Sequence, residues 1–430
     1  MYHRNGTLHL HPAVLALATC WSVLIFGGVA LAQGVLAPPP LDFSGLPPGL
    51  QTTGTNQPGT LETLFAAPAA TASKPPLELG PVQFRPHLLY RFLYGDGIPA
   101  APGQHLKTAI NEIYPGILLT IGNHWYLDYT PTLRYYSNNH FADTLDHNVI
   151  LNGAFNSGSW NLGFSQSYVS SSQPLIETGT TTRQETYTTV LDATYHFNSK
   201  MSLELGANQT FVFLSEALPG QALSDSATWS TLDWLNYDFT PKFSGAIGLG
   251  YGYVDMRLGP DMMFEQIQGR VSWHPGQKLT LILTGGGEIR QFLSGGASDL
   301  VNPLYGFSVE YHVFESTTLL ASGHRVVSPS YFENQITETS DVSGGLRQRL
   351  FERLILELSG GYYESTYTAT VSGLPVNRKD HGTFFTARLS VPVLKRGTVA
   401  ALYQFSDNSS NESAFDFTSN QVGFEVGYRF

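Results

Sequence analysis

From Pro81 onward, apolar and polar residues take turns along most of this chain. At its end, Val422, Phe424, Val426, Tyr428 and Phe430 are apolar, and Gln421, Gly423, Glu425, Gly427 and Arg429 between them are small, polar or charged. Successive side chains of a strand point to opposite faces, so this segment predicts a strand with one greasy and one wet face. Upstream, Leu203, Leu205 and Ala207 alternate with Glu204, Gly206 and Asn208. Leu279, Leu281, Leu283 and Ile289 share one face, and Thr280, Thr284, Glu288 and Arg290 share the other. Tyr305, Phe307, Val309, Tyr311 and Val313 oppose Gly306, Ser308, Glu310 and His312. Leu354, Leu356 and Leu358 oppose Glu357 and Ser359, and Ala387, Leu389, Val391 and Val393 oppose Arg388 and Ser390. Charges keep to the wet face, which is the lipid/lumen division of a transmembrane barrel.

The connections alternate in length. Short ones fall at Asn198–Lys200, Thr240–Lys242, Pro275–Lys278, Glu315–Thr317, Glu352–Arg353 and Lys395–Gly397. Longer polar ones fall at about Ser171–Arg183, Glu216–Asp225, Ser294–Leu300, Ser328–Asn334, Thr370–Asp380 and Asp407–Asp416. The expected fold is therefore all-β: an antiparallel up-and-down barrel with short periplasmic turns and longer extracellular loops. Counting from Val82 gives about 18 strands, with 16 as the alternative count. Phe197, Phe239, Phe314, Phe351 and Phe430 recur just before the short turns or at the chain end, and are expected to form a periplasmic aromatic girdle. The inward charges expected are Glu204, Glu288, Arg290, Glu310, Glu357, Arg388 and Glu425. They could set a transverse field that selects permeants, or pair with one another and hold the wall.

Composition strengthens this picture. Charged residues make up 13% and aromatics 13% of the 430 residues, with 43 glycines. Soluble proteins carry roughly 25% charged residues. The net charge of −11 argues against a nucleic-acid partner. Residues 1–32 read as a signal peptide: Ala13–Val29 is apolar and Ala30-Leu31-Ala32 is a small-x-small cleavage pattern. Cys20, the sole cysteine, lies within it, so the processed chain can form neither a disulfide nor a thiolate metal site. Residues 33–80 are rich in Pro, Ala, Thr and Gly and read as a disordered periplasmic linker, leaving 81–430 for the barrel. Lysines and arginines gather near the short turns and carboxylates in the long loops. That suits a solvated rim or divalent-cation bridging to an anionic outer surface.

RPHLLYRFLYGDG (Arg85–Gly97), YPGILLTIG (Tyr114–Gly122), WYLDYTPTLRYYS (Trp125–Ser137) and the closing GYRF resemble the β-barrel porin family linked to exopolysaccharide export loci. The resemblance spreads over Pro81–Phe430 and is architectural. It implies an outer-membrane barrel and, by the company that family keeps, polysaccharide export.

The sequence offers no catalytic constellation. No His-x-Ser occurs, and His381-Gly382-Thr383 is its nearest approximation. Asp146-His147 and Asp380-His381 are adjacent pairs, and adjacent strand residues point to opposite faces. Gly285–Glu288 reads as strand and lacks the strand-to-helix setting of a phosphate loop. The expectation is a non-enzymatic outer-membrane channel without cofactor or metal, passing small solutes or polysaccharide. The alternative is a non-conducting surface barrel whose long loops bind a partner. Expected partners are outer-membrane lipid and lipopolysaccharide, the barrel assembly machinery through the C-terminal strand, and polysaccharide.

Overall fold

The computed structural model describes residues 77–122, 124–215, 222–394 and 396–429. The signal peptide, most of the 33–80 segment and Phe430 lie outside the described residues. Twenty strands follow in order: β1 (Leu77–Leu79), β2 (Val82–Ala101), β3 (Gln104–Ile121), β4 (Trp125–Tyr129), β5 (Thr132–Tyr136), β6 (Thr144–Ser157) and β7 (Trp160–Leu175). Next come β8 (Thr180–His196), β9 (Met201–Ser215), β10 (Ser226–Thr240), β11 (Phe243–Met256), β12 (Met262–Trp273), β13 (Leu279–Phe292) and β14 (Leu300–Phe314). The chain ends with β15 (Thr317–Pro329), β16 (Gln335–Leu350), β17 (Leu354–Ala369), β18 (Lys379–Val393), β19 (Gly397–Ser410) and β20 (Phe417–Arg429).

Each strand pairs antiparallel with its neighbours, and β20 returns to β2 from His87↔Arg429 to Asp96↔Asn420. The wall is thereby closed. β4 and β5 both pair with β3 and β6 and are two halves of one stave. Pro131 divides them, because proline supplies no N–H to the ladder. β1 only folds back on the start of β2, so the barrel has 18 staves, as expected from the alternation. Three residues assigned to the linker on sequence thus form a strand.

The inside-out distribution of side chains identifies the solvent. Ile247, Leu249 and Ile267 are 60–65% exposed, while Glu288 and Glu425 are 1% exposed. An outer face of bare aliphatic and aromatic side chains around a closed sheet belongs in lipid, where every backbone polar group must be satisfied internally. This is a membrane-spanning β-barrel. No helix of the described residues is long and apolar enough to cross a membrane.

At the long-loop rim two hairpins leave the wall's simple course. The Ser171–Arg183 segment, expected as a loop, continues as ladder from Ser171↔Gln184 to Leu175↔Thr180 and turns only at residues 176–179. Its Ser and Thr residues are polar enough to read as loop, yet Thr is a good strand former. The second hairpin is β15–β16. Its pairing with β14 starts at Phe314↔Thr317 and stops at Gly306↔His324, although both strands run on toward the rim. Val327 and Ile336, whose alternation points them away from the lumen, instead pack in one cluster with Val254, Met256, Met262 and Phe264. Those last four alternate onto the inner face of β11 and β12. The upper β15–β16 hairpin therefore bends inward and lays its back against the inner wall.

Candidate functional site

The inner face carries a chain of eight ionised side chains of alternating sign. Asp146 Oδ2 meets Arg134 Nη1 at 2.7 Å, and Arg134 Nε meets Glu112 Oε1 at 2.7 Å. Glu112 Oε2 lies 3.5 Å from Arg91 Nη1, and Arg91 Nη2 lies 2.6 Å from Glu425 Oε1. Glu425 Oε2 accepts from Arg388 Nε at 3.0 Å, and Arg388 Nη1 reaches Glu357 Oε2 at 2.8 Å. Arg347 Nε ends the chain 3.7 Å from Glu357 Oε1. The belt runs from β6 through β5, β3, β2, β20, β18 and β17 to β16, and so crosses the closing junction of the barrel. Tyr114 donates to Glu112 Oε2 at 2.5 Å and accepts from Arg91. Glu112, Arg134, Asp146 and Glu425 are buried, and burial of charge is tolerated only where partners and hydrogen bonds replace water.

Of the inward charges expected from the sequence, the structure brings Glu357, Arg388 and Glu425 into this belt. Glu288 and Arg290 pair with each other at 2.8 Å, and Arg290 also donates to the Val327 carbonyl. Glu204 pairs with Arg270 at 2.6 Å, and the Arg270 guanidinium stacks 4.4 Å over the Trp234 ring. Glu310 lies toward the short-turn rim beside His312. Sequence reasoning missed Arg91, Glu112, Arg134, Asp146 and Arg347. The signal for Arg91 was present, since it alternates with Tyr90 and Phe92 within Arg85–Gly97. Phe197, Phe239, Phe314 and Phe351 all sit at the short-turn rim and are 50–87% exposed.

The two infolded hairpins meet across the mouth. Glu177, at the β7–β8 tip, accepts from Ser330 Oγ at 2.5 Å and from the Tyr331 amide at 2.7 Å, both at the β15–β16 tip. Arg378, between β17 and β18, donates to the Glu177 and Ile176 carbonyls and grips Asp380 with Nε and Nη2. Its guanidinium stacks 3.4 Å over Phe415 and 4.5 Å over Tyr367. Thr180 Oγ1 donates to the Ala100 carbonyl at the end of β2. Beyond the β15–β16 tip, Phe332 bridges to Leu223, between β9 and β10. Burial pushes the Glu177 carboxyl above its usual range, with the Ser330, Tyr331 and Arg378 contacts only partly offsetting it. Burial opposes the Arg378 charge, but Tyr367 and Asp380 hold its pKa above the usual guanidinium value.

The adjacent Asp-His pairs do not form a catalytic unit. Asp146 is engaged by Arg134 and the Ser172 amide, while His147 contacts Tyr129 on the other face. Asp380 is held by Arg378 and Tyr367. Gly285–Glu288 lies inside β13. Among the described residues no group of three or more His, Cys, Asp or Glu is arranged to hold a metal ion.

No protein-family model matches the chain, and no curated protein matches it. Solved structures that resemble it include OccAB4 of Acinetobacter baumannii, with 11% identity and a TM-score of 0.40 over 81% of this chain and 98% of that one. OpdO of Pseudomonas aeruginosa is similar at 13% identity and a TM-score of 0.43, covering 81% and 97%. OccK2 (OpdF) of Pseudomonas aeruginosa, solved in complex with glucuronate, is similar at 10% identity and a TM-score of 0.43, covering 81% and 98%. At these values the likeness assigns no activity, and the fold stands on its own strand ladder.

Proposed function

We propose that this barrel is a porin-like channel that passes small polar solutes across the outer membrane through a constricted mouth. The observation that carries the reading is the closed 18-stave wall with polar and charged side chains inside and apolar ones outside. A barrel of this strand number encloses an aqueous lumen. The ion pairs of the belt favour the wall-holding role for Glu357, Arg388 and Glu425 over a free transverse field. In this reading Phe197, Phe239, Phe314 and Phe351 form the girdle of the periplasmic rim. Lipid, lipopolysaccharide and the assembly machinery are the partners such a barrel requires.

Polysaccharide export is the finer reading implied by the resemblance of Arg85–Gly97 and its companion segments. An extended polymer would have to displace the contacts among Glu177, Ser330 and Arg378, so small solutes are the preferred permeants. The test is planar-bilayer conductance of the refolded protein, with and without residues 33–76. Stable ohmic steps are expected. A folded barrel that gives no steps in either form would sink the channel reading and favour a surface barrel whose loops bind a partner.

A further inference from the structure

We infer that the permeant is an uncharged solute and that the pore separates cations from anions only weakly. This rests on the channel reading above. Six arginines alternate onto the inner face of the spanning wall away from its lower rim: Arg91, Arg134, Arg270, Arg290, Arg347 and Arg388. Each has a carboxylate within 3.7 Å. The belt alone holds four guanidiniums against four carboxylates, so its net charge is zero. A charged permeant is selected by an uncompensated field, as from a ring of one sign. Guanidiniums already held by carboxylates supply little of one, and an anion that took one over would strand a carboxylate without its partner, which burial penalises.

Asp192, which pairs across strands with Gly206 on the inner face, leaves a slight preference for cations.

The first measurement is the reversal potential of the full processed protein in a bilayer under a potassium chloride gradient. The expected potassium-to-chloride permeability ratio lies within about threefold of unity, as for a pore without a net charged ring. A ratio of tenfold or more in either direction would overturn the inference while leaving the channel reading intact. The second is proteoliposome swelling with a neutral hexose, the matching hexuronate and the matching amino-hexose. The hexose is expected to enter several-fold faster than either charged sugar. Faster entry of a charged one overturns the inference. No swelling with any of the three, and no conductance, would instead overturn the channel reading beneath it. Glu425→Gln, checked for native heat-modifiable mobility, removes one negative charge from between Arg91 and Arg388 and should move the ratio toward chloride. An unmoved ratio in the folded variant would also count against the neutral wall as its cause.

Discussion

Two junctions in this wall, β20–β2 and β14–β15, hold in different ways. At β20–β2 the two ends of the barrel meet. The ladder is continuous over ten residues, and Glu425 ties Arg91 and Arg388 across it on the inner face. Asp96 and Gly97 finish the junction: the Asp96 carbonyl and carboxylate take Ser419 Oγ and the Asn420 amide. Gly97 adopts φ +69°, where β2 bulges and a Cβ would strike the Thr418 carbonyl. At β14–β15 the chain is already local, joined by a tight turn, and its ladder stops halfway up. Apolar packing of Val327 and Ile336 against the inner wall replaces the missing pairs. Closure between distant parts of the chain has the continuous ladder and the ion pairs. The local hairpin is free to bend, and it is the one that narrows the mouth.

The largest effect is expected at the closing junction. Glu425→Ala leaves two partly buried guanidiniums without their shared carboxylate, and breaking such a site costs about 3–5 kcal/mol. Urea unfolding from lipid vesicles should show that loss. A variant within about 1 kcal/mol of wild type, the worth of an exposed pair, would reduce the belt to a surface feature. At the other junction, Ile336→Ala removes a fully buried side chain from the cluster behind the infolded hairpin. The expected loss is about 2–3 kcal/mol, near the low end for such truncations because the hairpin can settle into the space. Conductance should rise in parallel if the hairpin sets the bore. Unchanged conductance would detach the hairpin from the constriction.

Cysteine pairs distinguish the two halves of the β14–β15 junction directly. The Gly306 and His324 positions face each other in the ladder, and the same register carried upward would set Asn302 opposite Ser328. A disulfide needs Cα atoms within about 7 Å. The Gly306→Cys/His324→Cys pair should therefore crosslink readily under mild oxidation, and Asn302→Cys/Ser328→Cys should not. Equal crosslinking of both pairs would mean the ladder is continuous and the inward bend absent.

The same contrast explains what the sequence revealed. Alternation with lipid outside is dictated residue by residue, so the strands and the stave count were readable from Pro81 onward. Glu288 and Arg290 were readable as a pair because they lie two apart on one strand. Arg91, Glu112 and Arg134 lie 21 to 43 positions apart, and only the ladder register brings them together. The infolded hairpins were hidden for another reason. Thr180–Thr182 and Ser170–Ser172 are polar on both faces, which reads as loop when one face is assumed to meet lipid. They sit at the rim, where both faces meet protein or water.

Glu177 offers the smallest and most specific test, because it links the two hairpins without belonging to the wall. Its neighbours are Ser330, Tyr331, Arg378, Asp380 and Tyr367. Burial there raises its pKa above that of the same carboxyl in an open, hydrated mouth. The closed contact therefore binds the proton more tightly, and by linkage acid stabilises it. As pH rises through the raised pKa the buried group ionises and the contact weakens. Single-channel recordings should show open probability increasing with pH across that window. Glu177→Gln keeps an acceptor for Ser330 and Tyr331 but cannot ionise, so it should stay in the low-pH behaviour throughout. Arg378→Ala removes the grip on the tip carbonyls and should raise open probability at every pH while retaining the slope. A wild-type channel indifferent to pH, or a Glu177→Gln channel that keeps the slope, would separate the hairpin contact from gating. The β15–β16 bend would then be a fixed narrowing of the mouth, held by Ile336 and its neighbours alone.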